Sequence, residues 1–166
     1  MRRVADELGI QAPSIYKHFS SRAEIEAELV ADAMVELGEV THRAIHKAGA
    51  GTRLMSLLVA YRKNCLGNSA LYRLATKGSF YRDRLPAGLE AWAGNPFYVV
   101  TGDPALAQAL WSFAHGMVCL ELDNRYPPGS DLDGTWRAGA GAFEHYATLK
   151  ERSPDKSPKI RARANI

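Results

Sequence analysis

Apolar residues recur along this chain at helical spacing, and the punctuation between them divides it into helices. Val4, Ala5 and Leu8 share one face of a first segment. Gly9 follows with the backbone freedom that a tight turn needs, and Ile10 and Ile15 return the chain to the same small core. A small residue where two helices cross, a glycine in the turn and a branched apolar residue in the second helix predict a helix-turn-helix over residues 3–19. The next helix is predicted to begin at Arg22, with Ser21 as N-cap and Glu24 completing a capping box. Ile25, Leu29, Ala33, Leu37, Val40 and Ile45 then form one apolar stripe that runs from the head into the body.

Ala48-Gly49-Ala50-Gly51 ends that helix, and Thr52 opens another to about residue 66, apolar through Leu54, Leu57, Leu58 and Tyr61. Shorter helices are predicted over about 69–77 and 83–93. Turns are expected at Asn95-Pro96 and at Gly102-Asp103-Pro104, the latter placing an N-cap aspartate before a proline at the first helical position. The helix over about 104–123 carries two apolar faces: Ala107, Trp111, His115, Val118 and Leu122 on one, Leu106, Leu110, Phe113, Met117 and Leu120 on the other. A last helix, about 131–149, contains Ala138-Gly139-Ala140-Gly141-Ala142. Each mid-helix glycine costs about 1 kcal/mol relative to alanine, and a close helix-helix approach would offset it. One face more than a single core needs, together with these small residues, predicts a four-helix homodimer interface through Phe113, Met117, Leu120, Ala138, Gly141 and Ala142. The alternative is a monomer whose small residues pack internally.

Ser-Ile-Tyr-Lys-His-Phe at 14–19, followed by Ser-Ser-Arg-Ala-Glu-Ile at 20–25, resembles the signature of TetR-family transcriptional regulators. Trp111-Ser112-Phe113-Ala114-His115-Gly116 resembles the Trp/His-Gly element of one class of TetR-like C-terminal domains. The resemblance implies an all-α fold. Residues 1–35 would be a DNA-binding helix-turn-helix head, 36–150 a helical-bundle effector-binding and dimerisation body, and 151–166 a disordered basic tail. It also implies nine helices, of which this chain supplies the second onward; the cover of Val4, Leu8, Ile10 and Phe19 is then incomplete, and a frayed or displaced N-terminus is expected.

Carried over from the family, Gln11, Ser14, Tyr16, Lys17 and His18 line the exposed side of the recognition helix. Gln11 suits adenine, with Ser14 assisting, while Lys17, Tyr16 and Arg22 suit phosphates. Relatives often have a small hydroxyl residue where Gln11 stands. Tyr16 and His18 have a second assignment, as packing residues within the head. A two-fold dimer would read a palindromic operator in double-stranded DNA.

Composition and charge fit this picture. The chain has 166 residues, 46% of them hydrophobic, and a net charge of +3. Lys150, Arg152, Lys156, Lys159, Arg161 and Arg163 against Glu151 and Asp155 leave +4 in the last seventeen residues, so residues 1–149 sum to −1. The head is nevertheless locally positive through Arg2, Arg3, Lys17 and Arg22 against Asp6 and Glu7. The longest apolar run, residues 105–122, is too short and interrupted to span a bilayer, and no signal peptide is visible, so a cytoplasmic location and no membrane partner are expected. Cys65 and Cys119 read as buried free thiols, with a disulfide or redox switch as the alternative.

Family members usually release DNA when a small molecule enters the body. Here Tyr61, Phe80, Trp92, Phe97, Trp111 and His115 offer aromatic walls for an apolar or aromatic effector, and core packing is the competing role for each ring. His115 is either a buried hydrogen-bonding residue or a ligand contact. Little supports enzymatic chemistry, and no cofactor is implied. His42 and His46 share a face at i, i+4 but lack an evident third metal ligand, which favours a solvated pair; Glu144-His145 lacks a nucleophile. The reading is a regulator, most simply a repressor; the alternative is a ligand-binding or protein-interaction helical dimer that does not bind DNA in this form.

Overall fold

The computed structural model describes residues 2–7, 9–77 and 82–152. Its regular elements are all helical: α1 (Arg2–Glu7), α2 (Ala12–Tyr16), α3 (Arg22–Lys47), α4 (Arg53–Gly67), α5 (Ser69–Thr76), α6 (Leu89–Thr101), α7 (Pro104–Leu122) and α8 (Leu132–Arg152). Short 3-10 turns lie at Ala50–Thr52 and Arg82–Arg84. No helix among the described residues is long and apolar enough to cross a membrane. The tail expected from residue 151 falls, beyond Arg152, outside the described residues.

The core is built around α4, which packs against α3, α5, α6, α7 and α8. Leu57, Leu58, Tyr61 and Cys65 project from it at helical spacing and are almost completely buried. Facing them are Leu110, Ala114 and Val118 of α7, Trp136 and Ala140 of α8, Phe97 of α6, Tyr72 of α5 and Ile45 of α3. Of the two faces predicted for α7, the second enters the core in large part: Leu106, Leu110 and Met117 are buried and Phe113 packs against them, joined by Ala114 and by Val118 of the other face. The buried stripe is Leu106, Leu110, Ala114, Met117 and Val118, while Trp111 and Leu120 are exposed. Buried small Ala114 lets α7 come close to the core, a criterion that hydrophobicity alone does not capture.

The capping predictions hold at α3 and α7. Ser21 Oγ accepts from Glu24 N at 3.2 Å. The return arm of the box shifts by one residue: Glu24 Oε2 accepts from the backbone N and the hydroxyl of Ser20 at 2.6 and 2.7 Å. Asp103 caps α7 by accepting from Leu106 N at 2.8 Å.

The turn predicted at Asn95-Pro96 does not form; both residues lie inside α6, and that helix starts at Leu89 rather than near residue 83. Proline at position 96 lacks the N–H that would bond the Trp92 carbonyl, a loss that ordinarily breaks a helix. Here His42 on α3 supplies the missing donor, its Nε2 lying 2.9 Å from that carbonyl. The two rings also stack, with centroids 5.1 Å apart. His42 is therefore engaged with α6 and is not half of a solvated pair. Gly38 makes the approach possible, because a Cβ there would fall inside the Trp92 ring.

Candidate nucleic-acid interface and the aromatic body

The head forms two helices where a frayed end was expected. Ile10 N donates to Ala5 O at 3.0 Å and Gly9 N to Asp6 O at 3.1 Å, while Gly9 takes φ +65°. This is the Schellman closure, which needs a residue in the left-handed region. The turn brings α1 and α2 together and buries Ala5 and Ile15. Val4 and Ile10 remain about half exposed, and Phe19 is half-buried, so the thin cover expected of them is present. Leu8 lies outside the described residues.

The sequence-predicted reading residues lie on and around α2. Gln11 is the N-cap position, extended at ψ 138°, and makes no side-chain cap bond, so its amide is directed to solvent without a local backbone partner. Ser14 is half-buried, while Tyr16, Lys17 and His18 are exposed. Tyr16 closes α2, and Lys17 and His18 belong to the following turn. That exposure argues against a packing role for Tyr16 and His18 within the chain. Arg22 is exposed at the first position of α3, with its Nε 2.7 Å from Glu26 Oε1. A phosphate would have to compete with that carboxylate, a detail hidden in the sequence because i, i+4 pairing depends on rotamers.

The six residues expected to line an effector pocket are divided. Tyr61 and Phe97 are core, packed edge to face at 5.7 Å. Trp92 sits against α3 as described. Trp111 is 47% exposed and stacks on His115 at 5.5 Å. Phe80 lies outside the described residues.

A hydrogen-bonded chain joins the core to the Trp111 edge. The Tyr61 and Tyr72 hydroxyls are 3.0 Å apart, Tyr72 Oη is 2.6 Å from His115 Nδ1, and His115 Nε2 is 3.5 Å from Cys119 Sγ. Burial pushes both tyrosines up and lowers His115 below its ordinary 6.5, so the imidazole is neutral at pH 7. One consistent direction then has each tyrosine donating toward the histidine, whose Nε2–H faces the sulfur. Cys119 was legible as an i+4 neighbour of His115; Tyr72, from another helix, was not. Both cysteines are free; burial raises Cys65 to about 12, and Cys119 is also raised, chiefly by burial.

The proposed dimer residues divide too. Phe113 packs within the chain on Trp136 and Phe143, and its ring fills the space above Gly139. Met117 is buried and accepts from the Tyr126 hydroxyl at 2.8 Å. These two belong to the protomer's own packing, because α7 and α8 already meet there. Leu120, Ala138, Gly141 and Ala142 are exposed, as are Tyr146 and Leu149 further along α8. A Cβ on Gly141 would meet nothing within 4 Å.

Among the described residues no group of three or more His, Cys, Asp or Glu side chains is arranged to hold a metal ion. His46, His145 and Glu144 are exposed.

No protein-family model matches this chain, and no curated protein matches it. A crystal structure described as that of "putative regulatory protein SCO4313" is similar over 86% of this chain and 83% of that one, with a TM-score of 0.67 and 22% sequence identity. The two chains share an all-helical fold.

Proposed function

We propose that this chain is a TetR-like, DNA-binding transcriptional regulator: a homodimeric repressor released from a palindromic operator by a small molecule. The observation that carries the reading is the head. Its glycine-closed turn leaves Gln11, Tyr16, Lys17 and His18 exposed along and just beyond α2, with Arg22 at the start of the long helix behind them. The fold neighbour's description as a regulatory protein supports the same class. The small-residue surface of α7 and α8 supplies a face for a second copy, and a two-fold pair would set two α2 helices about one DNA turn apart, roughly 34 Å. Effector binding would act by shifting the population of head separations through α3, which runs unbroken from the head into the body.

Binding of the full chain to the intergenic DNA beside its own gene, titrated at several salt concentrations, tests this. Selective, saturable binding is expected. Lys17→Ala should lower the salt slope by about one, while changing Gln11 should alter which sequence is preferred. Absence of selective binding would favour a ligand-binding or protein-interaction dimer, a reading that the exposure of Val4 and Ile10 on the head also favours.

A further inference from the structure

A cleft of about 380 Å³ opens where the end of α3, the start of α4 and α6 converge. His42, Arg43, Ile45 and His46 line it from α3, Arg53 from α4 and Val99 from α6. None of the lining residues is a carboxylate. Arg43 reaches Glu39 only at 3.9 Å, with both side chains more than half exposed, and Arg53 makes no ion pair among the described residues. Two arginines and His46 thus share the lining of this cleft with buried Ile45 and half-exposed Val99.

We propose that this cleft binds a small organic anion carrying an apolar moiety, with its carboxylate held by Arg43 and Arg53 and its hydrocarbon laid on Ile45 and Val99. Guanidinium forks match carboxylates, and a volume at the low end of ordinary ligand sites, about 300–1,000 Å³, suits a short chain or a single ring. Occupancy couples to α3. A carboxylate bridging Arg43 and Arg53 pins the last turns of α3 to the start of α4, and α3 is the helix whose other end follows the head. The site would therefore be an effector site distinct from the filled aromatic core; this regulatory half rests on the function proposed above.

The test is titration calorimetry on the full chain with three probes: octanoate, octanol and inorganic phosphate. One saturable octanoate site per chain is expected, bound about tenfold or more tighter than either other probe. An Arg43→Gln/Arg53→Gln variant should weaken octanoate by about tenfold or more, and phosphate with it, while leaving octanol unchanged; both positions are exposed, and circular dichroism checks the fold. Val99→Glu, which puts a carboxylate into the cleft and removes its apolar wall, should also weaken octanoate. Octanoate binding no tighter than octanol, absence of saturation, or full affinity in the double variant would overturn the site. In a parallel DNA-binding assay, octanoate that binds without altering selective DNA affinity overturns the regulatory half alone. A chain with no selective DNA binding overturns the proposed function, while the calorimetry still decides the cleft.

Discussion

At position 96, proline removes one backbone donor from α6, and His42 returns one from another helix. The pairing predicts a measurable coupling. His42→Ala should destabilise the chain by about 1–3 kcal/mol, since it leaves the Trp92 carbonyl without its donor and removes a stacked ring. In a Pro96→Ala background, where the restored N–H can bond that carbonyl, the same substitution should cost less; equal costs in denaturant unfolding would show that the two residues act independently. His115 has a pH signature. Burial depresses its pKa in the folded chain, whereas the unfolded chain takes up the proton near 6.5. The stability from the neutral ring is therefore complete above pH 6.5 and is lost as pH falls through the depressed folded value. Urea midpoints should fall more steeply below pH 6.5 in the wild type than in His115→Gln. The i, i+4 spacing of His42 and His46 was visible in the chain, but it could only suggest a shared face; the partner that gives His42 its role comes from fifty residues away.

Helices α3, α4, α7 and α8 were legible with their ends close to the observed ones, because caps, apolar spacing and glycine breaks act within a few residues. The start and end of α6 were not, since a proline read locally ends a helix and the donor that rescues it is non-local. The contact between α4, α7 and α8 is equally non-local. Glu121, nearly buried, accepts from Arg62 Nε and Nη2 at 3.1 and 2.8 Å through Oε2, and from Trp136 Nε1 at 2.6 Å through Oε1. Arg62 also bonds Asp133 at 2.6 Å and lies over the Trp136 ring. Glu121→Ala strands the buried indole N–H and half of the guanidinium, and should cost about 2–3 kcal/mol in chemical denaturation. Glu121→Gln, which keeps one acceptor, should cost less.

For the whole molecule, Gly139 and Gly141 of α8 distinguish packing within the chain from the surface proposed for a second copy. Gly139→Ala collides with the Phe113 ring and should destabilise the protomer by about 1–3 kcal/mol. Gly141→Ala meets open space within the chain and should gain up to about 1 kcal/mol of helix propensity. If the exposed surface of Leu120, Ala138, Gly141 and Ala142 closes on a second copy, the same change should weaken dimerisation in sedimentation experiments. Loss of protomer stability in Gly141→Ala, with unchanged association, would remove that surface from the interface.

The sequence by itself determined the all-helical class, the glycine-closed turn of the head and the ends of its longest helices, because each follows from backbone geometry and side chains within one or two turns. Only the tertiary structure decided which aromatic rings are core and which are edge, which stripe of α7 is buried, that Phe113 and Met117 serve the protomer, and that basic residues of α3 and α4 share a cleft with α6. A ring or a charge carries the same local signal whether it faces a core, a ligand or a partner. Its role is fixed by atoms brought close from distant parts of the chain.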